Sequence, residues 1–239
     1  MKITTALFDL DGTLLPMDQS QFIKAYFGGL ARRLAPHGYE PQKLVDAIWK
    51  GTAAMVQNNG EMTNEDRFWK GFEAAYGKPA RVDEPHFEAF YREDFDNVQS
   101  SCGYTPAARE IIDTAKACGL RTALATNPIF PRMATERRIA WAGLSTTDFE
   151  LVTTYENSRH CKPNLDYYRD IMQNLGVCPE ECLMVGNDVG EDMIAQTLGC
   201  RVFLLTDCLI NPKGADVSNF PNGSYDDLLA FIKALNTNV

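Results

Sequence analysis

From Tyr104 onward the sequence alternates helix-like and strand-like segments, and this alternation constrains the fold more than any other feature. Helical patterns over 106–118, 131–142, 164–175, 190–198 and 225–235 are interleaved with short apolar runs over 121–126, 149–153, 182–186 and 201–205. Gly119, Gly143 and Gly176 stand where helices in this series would stop, a position that favours a left-handed closing residue. Strands separated by helices imply right-handed crossovers, and hence a parallel sheet covered by helices on both faces. One more strand is expected at the start, where Ile3-Thr4-Thr5-Ala6-Leu7-Phe8 runs apolar and β-branched into acid and glycine. The expected class is α/β, built on a doubly wound parallel sheet.

Between that first strand and Tyr104 the pattern is different. Helical stretches near 19–34, 41–58, 64–76 and 84–95 are separated by Pro36, Gly38, Gly60, Gly77 and Pro79. Asn64 is expected to cap the third stretch, ahead of Phe68, Trp69, Phe72 and Tyr76 at helical spacing. Trp49, Trp69 and the Phe and Tyr residues of this segment are expected in its core. The segment reads as a helical bundle inserted after the first strand.

Composition removes several classes of function. A chain of 239 residues buries roughly 70% or more of its unfolded surface and needs no disulfide or structural metal to fold. Its cysteines number 7, an odd count, and form no CxxC, so reduced and mostly structural thiols in a cytoplasmic protein are expected. The N-terminal MKITTALFDLDGT meets acid too early for a signal peptide, and no apolar run approaches the length that spans a bilayer. With 23 Lys+Arg against 32 Asp+Glu the net charge is −9, which argues against a nucleic-acid partner. Arg32-Arg33 and Arg137-Arg138 are basic pairs, not a basic face. Neither GxxxxGK[ST] nor GxGxxG occurs.

In open parallel sheets ligands bind at the carboxyl ends of the strands. Here Asp9-Leu10-Asp11-Gly12-Thr13 follows the first strand and Thr126-Asn127 the second. Lys162-Pro163 precedes helix 164–175, and Gly186-Asn187-Asp188, with Asp192 beyond, ends the run 182–186. Asp9 and Asp11 sit at i and i+2, so in extended chain their carboxylates share a face. Either one holds a proton or both share a hard cation. Asp188 adds an oxygen ligand, giving a Mg²⁺-like site completed by water and substrate phosphate. Lys162 and Thr126 donate to phosphoryl oxygens, and Gly12 allows a tight turn whose N–H faces an anion. Taken singly, each fragment is a turn or a helix cap. Together, at successive strand ends, they describe a phosphoryl-transfer site.

This set resembles the haloacid dehalogenase superfamily, whose four motifs match Asp9-Leu10-Asp11-Gly12-Thr13, Thr126, Lys162, and Asp188 with Asp192. The resemblance implies a Rossmann-like core over 1–16 and 100–239 and a helical cap of the first type over 17–99. Asp11 points to the phosphatase branch, since the dehalogenases lack the second aspartate. It further implies that Asp9 is the nucleophile, forming an aspartyl-phosphate, and Asp11 the general acid and base. Gly12, Thr126, Asn127 and Lys162 would hold phosphate. Mg²⁺ would be bound by Asp9, the Asp11 backbone carbonyl and Asp188, with Asp192 orienting the cluster. The last motif departs from the family pattern in reading Gly-Asn-Asp, and Asp188 is chosen because it keeps the i, i+4 spacing to Asp192.

A closed cap favours a small phosphorylated metabolite. Gln19, Lys24 and Arg67 are candidate specificity residues by character alone, and each has a plain surface reading as well. The alternatives within the family are a phosphomutase and a phosphonate hydrolase, which would need a cap lysine such as Lys24. Outside it stand a receiver-type signalling domain and a non-enzymatic metal-binding protein. His37, His86 and His160 belong to no motif, and nothing in the sequence assigns an oligomeric state.

Overall fold

The computed structural model describes residues 2–235. Its sheet has the order β2-β1-β3-β4-β5, from β1 (Thr5–Phe8), β2 (Arg121–Leu124), β3 (Cys182–Gly186), β4 (Arg201–Leu205) and β5 (Asn222–Gly223). Every pairing is parallel, with Thr5 opposite both Arg121 and Cys182, and Leu183 opposite Arg201. The sheet therefore grows from β1 to β2 on one side and to β3, β4 and β5 on the other. That reversal opens a crevice beyond the carboxyl ends of β1 and β3.

Period-2 alternation sends neighbouring strand residues to opposite faces. Ala6, Phe8, Leu183 and Val185 pack with Ile111 and Ile112 of α5 (Ala107–Ala117) and Leu228 and Ile232 of α8 (Tyr225–Ala234). Leu7, Met184 and Val202 face the other way, against Tyr168, Ile171 and Met172 of α7 (Leu165–Leu175). The expected α/β class and doubly wound sheet are what the chain adopts.

The segment after β1 is helical: α1 (Gln19–Leu34), α2 (Pro41–Val56), α3 (Asn64–Tyr76) and α4 (Glu84–Ala89), continued by a wide turn over Phe90–Asp94 and a 3₁₀ stretch over Phe95–Ser101. Asp18 caps α1, its carboxylate accepting from the N–H groups of Ser20 and Gln21. Thr63, not Asn64, caps α3. Asn64 is spent elsewhere. Fully buried, its amide donates to the carbonyls of Pro128 and His160 at 3.2 Å and docks the helices onto the α/β core. A second anchor is Asp96, which accepts from Arg137 and from the Trp141 indole of α6 (Arg132–Trp141). No helix among the described residues is long and apolar enough to cross a membrane.

Three elements differ from the sequence expectation. The run 149–153 lies parallel to β2 but makes one bridge, Leu124 with Val152, formed by the Leu124 N–H donating to Leu151 and the Thr153 N–H to Leu124. The expected helix 190–198 is a 3₁₀ turn over Met193–Leu198. There the carboxylates of Asp188 and Asp192 take the N–H groups of Gly190, Glu191 and Asp188, so side chains compete with helical bonding. Trp49, expected in the core, is 48% exposed.

Candidate active site

Asp9 leaves β1 while its N–H still donates to Val185 of β3 at 2.9 Å, which keeps it in strand register. The Leu10 carbonyl then accepts from Thr13 and Leu15, closing a tight turn. Gly12 sits in that turn at φ +89°, and a Cβ there would stand 2.3 Å from Asn187 Nδ2, so the turn requires glycine. The expectation that its N–H faces an anion is corrected by the structure. That N–H donates to the Leu15 carbonyl at 2.8 Å, because the turn closes on itself.

Asp9 is held at both oxygens. Lys162 Nζ donates to Oδ1 at 2.9 Å, and the Thr13 hydroxyl lies 3.1 Å from Oδ2 and 3.0 Å from Asn187 Oδ1. Asn187 donates in turn to the Cys208 carbonyl at 2.7 Å. The asparagine that departs from the family motif is thus a brace, and it lines the crevice together with Asp188. Lys162, 1% exposed, makes its second bond to Asp192 Oδ1 at 2.6 Å. Burial opposes the Lys162 ammonium, but the carboxylates of Asp192 and Asp9 outweigh it and hold its pKa well above the usual range. Asp192 is pushed up to about 6 by burial, against the pull of Lys162. Its other oxygen accepts from the Asp188 N–H at 3.0 Å. A side chain at residue 186 would collide with it, since a Cβ on Gly186 would stand 2.1 Å away.

Asp11 points toward a residue with no place in the sequence expectations. Arg138 of α6, 1% exposed, donates to Asp11 Oδ2 and lies over the Phe130 ring at 4.4 Å. Burial raises the Asp11 carboxyl, Arg138 opposes the rise and Asp9 adds to it. Asp11 Oδ1 is buried with no hydrogen-bond partner among the described residues. Thr126 is fixed by its carbonyl, which accepts from Thr153 at 2.7 Å and Tyr167 at 2.8 Å. Asn127 donates to Glu191 Oε2 at 2.9 Å. Glu191 is pushed up to about 7 by burial, with Lys162 opposing.

Asp9, Asp11, Thr126, Asn127, Asp188 and Asp192 all line one cavity of about 640 Å³. Lys162 lies outside that lining and reaches it through Asp9 and Asp192. A hard divalent cation suits the donors here. Asp9 and Asp188 bring carboxylates to the cavity from adjacent strand ends. No group of three His, Cys, Asp or Glu side chains able to hold a metal forms among the described residues. Few protein ligands, with water and substrate phosphate completing the shell, is the arrangement a small hard cation favours over an all-protein cage.

A family model described as haloacid dehalogenase-like hydrolase matches residues 3–195. The chain belongs to the haloacid dehalogenase-like hydrolases. Hexitol phosphatase A of Escherichia coli K12 is 26% identical over 202 residues, covering 84% of this chain and 82% of that protein. Protein SUPPRESSOR OF QUENCHING 1 of Arabidopsis thaliana is 23% identical over 95% of this chain, which spans 21% of that protein's length. In fold, the chain is similar to a HAD phosphatase from Thermococcus onnurineus, with a TM-score of 0.57 and 17% identity over 97% of this chain and 96% of that one.

In this haloacid dehalogenase-like hydrolase the candidate specificity residues separate. Gln19 lines the cavity, whereas Lys24 is exposed and outside the lining. Arg67 donates to Asn58 and Asn59. His160 pairs with Asp170 at 2.7 Å, and His37 stacks on His86. Thr13 and Asn187 stand in the sequence motifs without a role of their own, and Arg138 and Glu191 were not among the site candidates. A threonine four residues after Asp9 was a readable signal. Arg138 carried none, since it looks like half of a surface pair with Arg137.

Proposed function

We propose that the chain is a Mg²⁺-dependent phosphatase that hydrolyses a small phosphomonoester through an aspartyl-phosphate on Asp9. The observation that carries the reading is the buried Lys162 ammonium bridging Asp9 and Asp192 beneath a cavity that Asp11, Thr126 and Asp188 also line. In this reading residues 17–99 form the cap and 1–16 with 100–239 the core.

Lys162 neutralises Asp9 and steers a phosphoryl group toward it, while Thr126 donates to a phosphoryl oxygen. An Asp9 carboxylate oxygen attacks phosphorus in line, and the bond from phosphorus to the ester oxygen breaks as the new one forms. Asp11 gives its proton to the departing alkoxide and then takes one from the water that attacks the aspartyl-phosphate. Inorganic phosphate leaves and the Asp9 carboxylate is restored. Mg²⁺, held by Asp9, the Asp11 carbonyl and Asp188, would disperse the charge that develops on phosphorus.

Phosphate release from a panel of small phosphomonoesters tests this, measured in Mg²⁺ and again after EDTA treatment. Release that needs the metal supports the reading. Isomerisation of a sugar phosphate without net release would transfer the assignment to a phosphomutase. A phosphonate hydrolase is disfavoured by the position of Lys24 outside the cavity lining.

Arg138 makes a separate prediction. Its bond to Asp11 orients the carboxyl that serves the leaving group, so Arg138→Met is expected to slow alkyl phosphates by roughly 10²-fold, the lower end of general acid–base contributions. Phosphate esters of p-nitrophenol, whose leaving group needs little protonation, should slow far less. Equal losses on both substrates would remove Arg138 from any role in positioning Asp11.

A further inference from the structure

The cavity above the phosphate end has walls of a definite chemistry. α1, α2 and α3 contribute Phe27, Trp49, Phe68 and Trp69, and Phe130 comes from the core. The Tyr26 and Tyr91 hydroxyls on the same walls bond to each other at 2.8 Å, which leaves the pair one proton to donate to a ligand. Beyond the floor, Gln19 and Thr52 are the neutral amide and aliphatic hydroxyl of the lining.

Charge on these walls is mostly negative. Glu65, Glu84, Glu88, Glu136 and Glu156 line the cavity with Arg132, which is exposed as Glu88 and Glu136 are. Arg81 pairs with Glu65 at 3.0 Å and with Glu84 at 3.6 Å. Glu88, Glu136 and Glu156 form no ion pair among the described residues, and both Glu156 oxygens accept from the Arg132 backbone N–H at 2.8 and 3.0 Å.

We propose that this cavity takes phosphomonoesters of apolar, aryl- or alkyl-bearing alcohols and rejects leaving groups that carry a second negative charge. The inference rests on the phosphatase reading and names the class of substrate for that site. Ring edges and faces at the walls suit an aromatic or branched hydrocarbon body, and the volume accommodates one beside the phosphate. A polyol would lose water from several hydroxyls and find few partners. A second carboxylate or phosphate would meet more glutamate than arginine on these walls, five carboxylates against Arg132.

Steady-state phosphate release by the full chain in Mg²⁺ tests the proposal, with 2-phenylethyl phosphate, sorbitol 6-phosphate, phosphoglycolate and acetyl phosphate as probes. 2-Phenylethyl and sorbitol phosphates both leave as primary alcohols, so their kcat/KM ratio reads the walls instead of the chemistry. We expect that ratio to favour the phenylethyl ester by roughly 10- to 100-fold, the gain from burying one aromatic side chain, and phosphoglycolate to rank below both. Trp49→Ala, at a half-exposed position, is expected to raise KM for 2-phenylethyl phosphate about 5-fold with kcat retained. Preference for sorbitol 6-phosphate or phosphoglycolate, or a Trp49→Ala variant with unchanged KM, overturns the proposal while the phosphatase reading stands. Acetyl phosphate, with a leaving group too small to use the walls, separates the two. If it and every other probe are left intact, the phosphatase reading falls and this inference with it.

Discussion

Asp9→Asn is expected to reduce phosphate release by about 10⁴-fold or more, equivalent to at least ~5 kcal/mol of transition-state stabilisation. The amide is a far poorer nucleophile than the carboxylate and has no charge to share with a cation or with Lys162. The fold should survive the change. Asn keeps an oxygen able to accept from Lys162 or Thr13, and Lys162 keeps its ion pair with Asp192 at 2.6 Å. A stability change within about 1 kcal/mol is therefore expected. Parallel assays of turnover and thermal unfolding decide the matter. Normal turnover in a folded Asp9→Asn protein would be incompatible with a covalent intermediate on this residue.

Much of the fold could be read from residue order, because a parallel sheet imposes its own grammar. The run Ile3–Phe8 and the segments 182–186 and 201–205 are buried on both faces, so they read as short apolar blocks. The candidate site was legible for the same reason: the Asp9, Thr126 and Asp188 fragments follow strands, Lys162 precedes a helix of the same layer, and a parallel sheet collects strand ends at one edge. What escaped depends on tertiary contact. Arg138 reads as solvated surface in any local window, yet the fold buries it against Asp11. Asn64 has every local mark of a helix cap, but its amide is consumed by carbonyls of the α/β core. Trp49 was taken for core by its apolar character, whereas it stands at the wall of a cavity that helix periodicity does not reveal. The helix expected from residue 190 gave way because Asp188 and Asp192 bond to the backbone that would have formed its first turn.

Lys162→Met is expected to have the largest effect on stability, and its reason lies in the same cluster. Methionine fills similar volume but leaves Asp9 and Asp192, 7% and 1% exposed, without their shared cation. Removing one partner of a buried ion pair costs about 3–5 kcal/mol, which for a chain of this length lowers Tm by roughly 6–20 °C. On the proposed reading the ammonium also neutralises Asp9 as the phosphoryl group approaches, so its loss should lower kcat by about 10²–10³-fold, as when one electrostatic donor is removed from an active site. The stability deficit should depend on pH. In the variant one of the two carboxylates holds a proton in the folded state that it releases on unfolding at neutral pH, so its folded pKa is the higher. The folded state then binds more protons than the unfolded one, and stability rises as pH falls. Asp192, already pushed up to about 6 with Lys162 in place, is the group expected to take that proton. Thermal unfolding of wild type and variant in EDTA should therefore show a gap in Tm that is wide at pH 8 and narrows toward pH 5. A gap independent of pH, or none at all, would mean that Lys162 does not neutralise this carboxylate pair.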